Sequence, residues 1–208
     1  MTSQLTCFGE SGNAYKAALT LELSGYEWEP VWLDFFNGAG RTPGFRAVNE
    51  MGEVPVFQEG DLTLSQSCVI QLHVAKKTGK FLAGDESEIL RWMFWDAQKG
   101  SGQQGGLRFM MNFLPEDKRP HEAISWLSGR VQAALAVLEA HLAKRDWIVG
   151  ADVTLADLAC CGYLYYPEPF GFDRAQFPAI DAWLARISEL PGWKHPYDLM
   201  PGSPADRA

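Results

Sequence analysis

No two cysteines stand in a Cys-x-x-Cys spacing, and only four occur at all: Cys7, Cys68, Cys160 and Cys161. Four thiols in 208 residues are too sparse for the disulfide framework of a small secreted domain. Cys160 and Cys161 are neighbours, which on a helix would point about 100° apart and chelate poorly. Buried free thiols in a reducing compartment are the expectation, and no metal site is. Histidine is equally scarce: His73, His121, His141 and His195 form no cluster. Positive charge is in deficit, with 18 Lys and Arg against 26 Asp and Glu and a net charge of −8. Such a chain repels phosphate backbones, so nucleic acid is not an expected partner. An anionic small molecule would need local cations or backbone N–H groups to hold it. The N-terminus, MTSQLTCFGE, has no basic n-region, and no window approaches the roughly 20 apolar residues of a membrane span. A cytoplasmic protein with no membrane contact is expected. No internal repeat or low-complexity tract is visible.

What is present is an ordinary globular composition, 47% hydrophobic and 21% charged. The first 80 residues alternate between element types. Leu5 to Phe8 suits a short strand. SGNAYKAALTLELSG begins a helix at Ser11, with Ala14, Ala17, Ala18, Leu21 and Leu23 at roughly helical spacing and Gly25 as its stop. EWEPVWLDF reads as a second strand and TPGFRAVNEMG as an irregular or short helical connection. Val56 to Gln58 and Leu62 to Leu64 flank the turn signal EGD and predict a hairpin. SQSCVIQLHVAKKTG then predicts a helix ending at Gly79. The first two strands and their helix make a right-handed βαβ unit.

Beyond Gly79 the pattern changes. KFLAGDE is a linker, and everything after it reads as helix. In PHEAISWLSGRVQAALAVLEAHLAK, Ile124, Leu127, Val131, Leu135, Leu138 and Leu142 make one apolar stripe. TLADLACCGYLYY and FPAIDAWLARISEL predict two further helices. The expected architecture is therefore α/β followed by all-α, with domains at 1–79 and 85–208.

Two motifs mislead. GSGQQG, Gly100 to Gly105, matches G-x-G-x-x-G, but a dinucleotide fingerprint needs a strand before it, and RWMFWDAQK reads as helix. A helix loosened or bent by glycines is the better expectation. GESGN nearly matches the hydrolase elbow G-x-S-x-G, with Asn13 where the last glycine belongs and no clustered histidine to serve it.

Four stretches carry more. Ser11 lies between a strand and a helix, at or beside an N-cap where free N–H groups and the positive dipole end gather. MGEVPVF holds Pro55 inside strand-forming residues, which demands a sheet edge or a turn whose backbone is needed elsewhere. LSQSCVI puts Gln66 and Ser67 at the start of the next helix, a second place where N–H groups and a hydroxyl could hold an anion. VTLAD sets Thr154 and Asp157 at capping-box spacing.

Together these resemble the glutathione transferase family over nearly the whole chain. SGNAYKAALTLELSG resembles the first helix with its catalytic serine, NEMGEVPVF the segment holding a cis-proline, EGDLTLSQSCVI the γ-glutamyl-binding segment, and WIVGADVTLADLA the capped buried helix of the second domain. The resemblance implies an N-terminal thioredoxin-like domain and a C-terminal helical bundle. It also implies a homodimer and no tightly bound cofactor, with glutathione as co-substrate and an apolar electrophile as its partner.

By position, the resemblance makes Ser11 the residue that holds the glutathione thiolate, with Asn13 beside it. A cis Val54–Pro55 bond would leave the Val54 backbone to pair with the extended tripeptide. Gln66 and Ser67 would take the γ-glutamyl end, and Arg46 or Arg41 the glycine carboxylate. Asp96 would reach the ammonium across a dimer interface. Glu53 stands where many bacterial relatives carry a lysine. The helical domain would contribute most of the electrophile site, with Phe8, Phe36, Trp95, Phe109, Met110, Phe113, Tyr163 and Tyr166 as candidate walls. Two alternatives accompany this reading: a thiol–disulfide oxidoreductase using Cys7, and a non-catalytic binding module of the same fold.

Overall fold

The computed structural model describes residues 2–202. Two compact units emerge. One is built from the first 80 residues together with residues 191–202, and the other from Phe81–Leu190.

The first unit holds a four-stranded sheet in the order β2-β1-β3-β4. Strands β1 (Ser3–Cys7) and β2 (Trp28–Trp32) run parallel, while β3 (Val56–Glu59) is antiparallel to both β1 and β4 (Leu62–Ser65). Helix α1 (Gly12–Ser24) makes the crossover from β1 to β2. Ser11 caps its front by accepting from the N–H of Ala14, and Gly25 at φ 68° ends it, its N–H returning to the carbonyls of Glu22 and Leu21. Ala14, Tyr15, Ala17, Ala18, Leu19 and Leu21 are fully buried, so α1 is a core helix rather than a one-sided one. α2 (Pro43–Val48) is short and α3 (Ser67–Thr78) ends at Gly79, φ 70°. Residues 191–202, with the four-residue helix α9 (Pro196–Leu199), belong to this unit and not to the helical one. Buried Leu199 and Met200 and the bond from Tyr15 Oη to the Lys194 carbonyl hold them there.

A polar hub ties the far end of this sheet. Glu59 Oε1 accepts from Ser3 Oγ at 3.0 Å and Tyr26 Oη at 2.6 Å, and Oε2 meets Lys77 Nζ at 2.5 Å. The Lys77 bond, seconded by Tyr26, holds the Glu59 carboxyl down at about 2, against an ordinary 4.5. A carboxyl depressed in the folded state stabilises above its unfolded pKa and loses that contribution as pH falls toward the folded value. Glu59→Gln should therefore lower urea resistance at pH 7, and its deficit against the parent chain should shrink steadily as pH drops from about 4.5 to about 2. A deficit independent of pH would show that the carboxylate charge is not what matters.

The second unit is all helix: α4 (Glu86–Lys99), α5 (Ser101–Asn112), α6 (His121–Leu142), α7 (Leu155–Cys160) and α8 (Pro178–Ser188). The glycine-rich run marks the break between α4 and α5, at Gly100. The predicted stripe on α6 is buried only from Val131 onward, and Trp126 is 65% exposed. α7 is shorter than its apolar run and buried along its whole length. Thr154 and Asp157 form the expected capping box. Asp157 does more: Oδ1 accepts from Ile148 N and Trp183 Nε1, both at 2.9 Å, and Oδ2 from Thr154 N at 2.8 Å. Burial pushes this carboxyl up, and those donors oppose it.

Candidate active site

Strand register decides which loops meet. Cys7 pairs with Trp32, Thr6 with Val56, and Val56 with Ser65. The residues that follow β1, precede β3 and follow β4 therefore all leave the same end of the sheet. That one end carries Ser11, Val54–Pro55 and Gln66–Ser67, together with Phe35 and Phe36 after β2.

Ser11 has extended backbone at φ −85°, ψ 102°, and is 7% exposed. Its Oγ accepts from Ala14 N at 3.1 Å, which uses a lone pair and leaves the hydroxyl proton to donate. Half-buried Asn13 follows as the second residue of α1. The Val54–Pro55 bond is cis. Among the described residues, no other backbone group pairs with the N–H or C=O of Val54, so the backbone just ahead of β3, an interior strand, stands open at that end of the sheet. Buried Asn49, which sequence reasoning missed, shapes the approach: its Nδ2 donates to the Glu53 carbonyl at 2.8 Å and its Oδ1 accepts from Met51 N.

Gln66 sits at φ 70°, a left-handed backbone that costs a non-glycine residue about 1–3 kcal/mol. Its side chain does not cap α3; Nε2 reaches back to Glu53 Oε2 at 3.4 Å and Met51 Sδ at 3.2 Å. Ser67, 7% exposed, opens α3. Arg46 lies against Gly52, two residues before Val54, where a β-carbon would come 3.5 Å from its Nε. Arg41 closes the short turn ahead of α2 and is exposed.

Asp96 does not present its carboxylate for an ammonium. It is 1% exposed, with Oδ1 accepting from Ser101 N at 3.1 Å and Oδ2 from Ser101 Oγ at 2.7 Å. Those bonds bracket the α4–α5 break, and an uncompensated buried carboxylate would have been costly. Cys7 is fully buried, and burial pushes its thiol up to about 12, which leaves essentially no thiolate near neutral pH.

The candidate apolar walls fall into separate groups. In the first unit Phe8 stacks on Phe35 at 4.6 Å and meets Phe36 edge-on at 6.0 Å; Phe35, 39% exposed, was not anticipated. In the helical unit Trp95 packs edge-on against Trp92, which leans on His141. Half-buried Met110 is on α5 beside Phe109, and Phe109 lies near Phe113 at 6.2 Å. Tyr163 lies near Tyr166 at 6.0 Å. Arg108 joins Tyr166 and Phe113, its guanidinium 4.0 Å from the Tyr166 ring and 5.0 Å from Phe113, with Glu168 Oε2 as its counter-ion at 2.5 Å. A paired charge thus lies against these rings. Gly105 adds a close approach: a β-carbon there would lie 2.6 Å from Tyr163 Oη.

Models of the glutathione S-transferase N-terminal and C-terminal domains match residues 3–76 and 108–191. A possible glutathione S-transferase of known structure from Rhodopseudomonas palustris is 32% identical, with a TM-score of 0.86 over 94% of this chain and 98% of its own. This chain belongs to the glutathione S-transferase family. Its relatives include glutathione S-transferase GstB of Escherichia coli, 28% identical over 188 residues, which cover 87% of this chain and 90% of GstB. They also include the disulfide-bond oxidoreductase YfcG of the same organism, 27% identical over 194 residues, or 88% of this chain and 89% of YfcG. Among the described residues no helix is long and apolar enough to cross a membrane.

Proposed function

We propose that the chain is a glutathione transferase with a serine-type site, acting as a homodimer on an apolar electrophile. The observation that carries this reading is the meeting of Ser11, the open Val54 backbone and the strained Gln66 at one end of the sheet. The peptide backbone of glutathione would pair with Val54. Its γ-glutamyl end would lie against Gln66, Ser67 and the front of α3, and Arg46 or Arg41 would face the glycine carboxylate. Asp96 drops out of the set. The Ser11 hydroxyl, supported by Asn13, would donate to the sulfur. The thiolate then forms a carbon–sulfur bond, and the electron pair leaves with the displaced group or, in an addition, is taken up with a proton. Phe8, Phe35 and Phe36, clustered beside Ser11 in the same unit, would supply apolar surface for the electrophile.

Titration calorimetry with glutathione, followed by mass spectrometry of products from a panel of aryl halides, enones and epoxides, tests the reading. Micromolar to millimolar binding and a thioether product are expected. Binding without any product would make the chain a binding module; no binding would end the proposal.

The kinship with YfcG favours one second reading. Bound glutathione thiolate attacks a disulfide, forms a mixed disulfide and releases the other sulfur as thiolate. Cys7 takes no part in it, being buried and protonated. Cys7→Ala should leave either activity within about threefold, as its thiol is nearly absent as thiolate. Complete loss of disulfide exchange in a folded Cys7→Ala protein would restore Cys7 as a nucleophile.

A further inference from the structure

We propose that the Pro201 carbonyl is a positioning group for the catalytic serine, delivered by the segment 191–202. The inference rests on the reading of Ser11 given above. Four residues, Phe8 to Ser11, join β1 to α1. Inside that loop Ser11 N donates to the Phe8 carbonyl at 3.0 Å. Outside it, the N–H of buried Gly9 donates to Pro201 O at 2.7 Å, across nearly the whole length of the chain. A buried backbone N–H without a partner is costly, so this bond fixes where Gly9 sits and, two residues on, where Ser11 points.

The segment that brings Pro201 is itself pinned at several places. Lys194 accepts from Tyr15 Oη through its carbonyl at 2.9 Å and pairs with Glu22 through Nζ at 2.6 Å. His195 Nδ1 accepts from Tyr197 N and starts α9. Leu199 and Met200 are buried. Gly202, at φ 82°, lies flat on Trp32 at the end of β2; a β-carbon there would collide with the indole Nε1 and stand 2.9 Å from Cδ1. The segment thus bears on the body of α1, on the serine loop and on β2. Only an approach free of a side chain lets the carbonyl next to Gly202 reach Gly9.

Catalysis is sensitive to such placement, since a misplacement of about 1 Å can cost about 100-fold. The test uses two shortened chains. One ends at Gly202 and keeps every contact above; the other ends at Leu199 and lacks the Pro201 carbonyl. Gly202→Ala serves as a full-length variant if the shorter chain does not fold. Amide hydrogen exchange at Gly9 and the pH profile of kcat/KM, with glutathione and an aryl halide, are measured on each.

The chain ending at Gly202 should match the parent. The chain ending at Leu199, and Gly202→Ala, should exchange Gly9 faster and lose about 10–100-fold in kcat/KM near pH 6.5. Their profile should shift to higher pH, while KM for glutathione, held at its γ-glutamyl end, changes little. An unaltered profile in a chain that has lost Gly9 protection overturns the proposal, as does unaltered Gly9 exchange. If the parent itself turns over no electrophile, the functional reading falls and this inference with it. If the parent is active and the Leu199 chain is equally so, only this inference falls.

Discussion

Ser11→Ala should retain most glutathione affinity and lose most of the rate, with a loss that depends on pH. A free thiol ionises near 8.5, and moving it to about 6.5 takes roughly 2.7 kcal/mol of preferential stabilisation of the thiolate. Ionisation alone would then give the parent an advantage of roughly 25-fold at pH 7 and roughly 75-fold at pH 6, closing above about pH 9. The sign follows from the lowered pKa: the advantage is greatest below both pKa values, falls between them and vanishes above both. Ser11 also caps α1 through Ala14 N at 3.1 Å, and losing that cap costs about 1 kcal/mol of stability. Ser11→Thr keeps both the cap and the hydroxyl and should recover most of the activity. Steady-state rates from pH 6 to 9.5, with the ultraviolet absorption of the bound thiolate, separate the two roles. Equal turnover by the alanine variant across that range would remove Ser11 from the chemistry and leave it a cap.

Asp157→Ala should be the most destabilising single change in the helical unit. It strips partners from Ile148 N, Thr154 N and Trp183 Nε1 at once, and Trp183 is fully buried. Each orphaned donor costs about 1–3 kcal/mol, and because the three share one carboxylate the total should be roughly 3–5. For a chain of this size that is a fall in Tm of roughly 6–20 °C. Asp157→Asn keeps one acceptor oxygen and should fall between. Asp181→Ala breaks a pair with Arg174 whose partners are 44% and 47% exposed, and it should change stability by under about 1 kcal/mol. Matching melting curves for Asp157→Ala and Asp181→Ala would show that the carboxylate is dispensable.

The first unit was legible because its punctuation is local. Ser11, Gly25 and Gly79 mark helix ends by their own side-chain chemistry or tolerance of positive φ. The glycine run at 100–105 announced the break between α4 and α5 on the same grounds. The stretch 191–202 was not legible as part of that unit. Its attachment rests on Tyr15, Glu22 and Gly9, more than 170 residues away in sequence, and its prolines leave no periodic pattern to read. At the candidate site Ser11, Val54, Gln66 and Ser67 could be placed from motif and cap signals. Asp96 could not, because a lone acid gives no hint that Ser101 will donate to both its oxygens in a buried turn. Arg108 and Phe35 were missed for a related reason. A charge inside an aromatic run, and one phenylalanine out of two, gain meaning only from neighbours that the fold supplies.

The contact between Gly105 and Tyr163 constrains how the helical unit can diverge. The Tyr163 phenol occupies the space a methyl group at 105 would need, so alanine there is tolerated only if the phenol is given up or swung aside. Position 105 can therefore gain a side chain only with a concerted adjustment at 163, whereas 163 can shrink on its own.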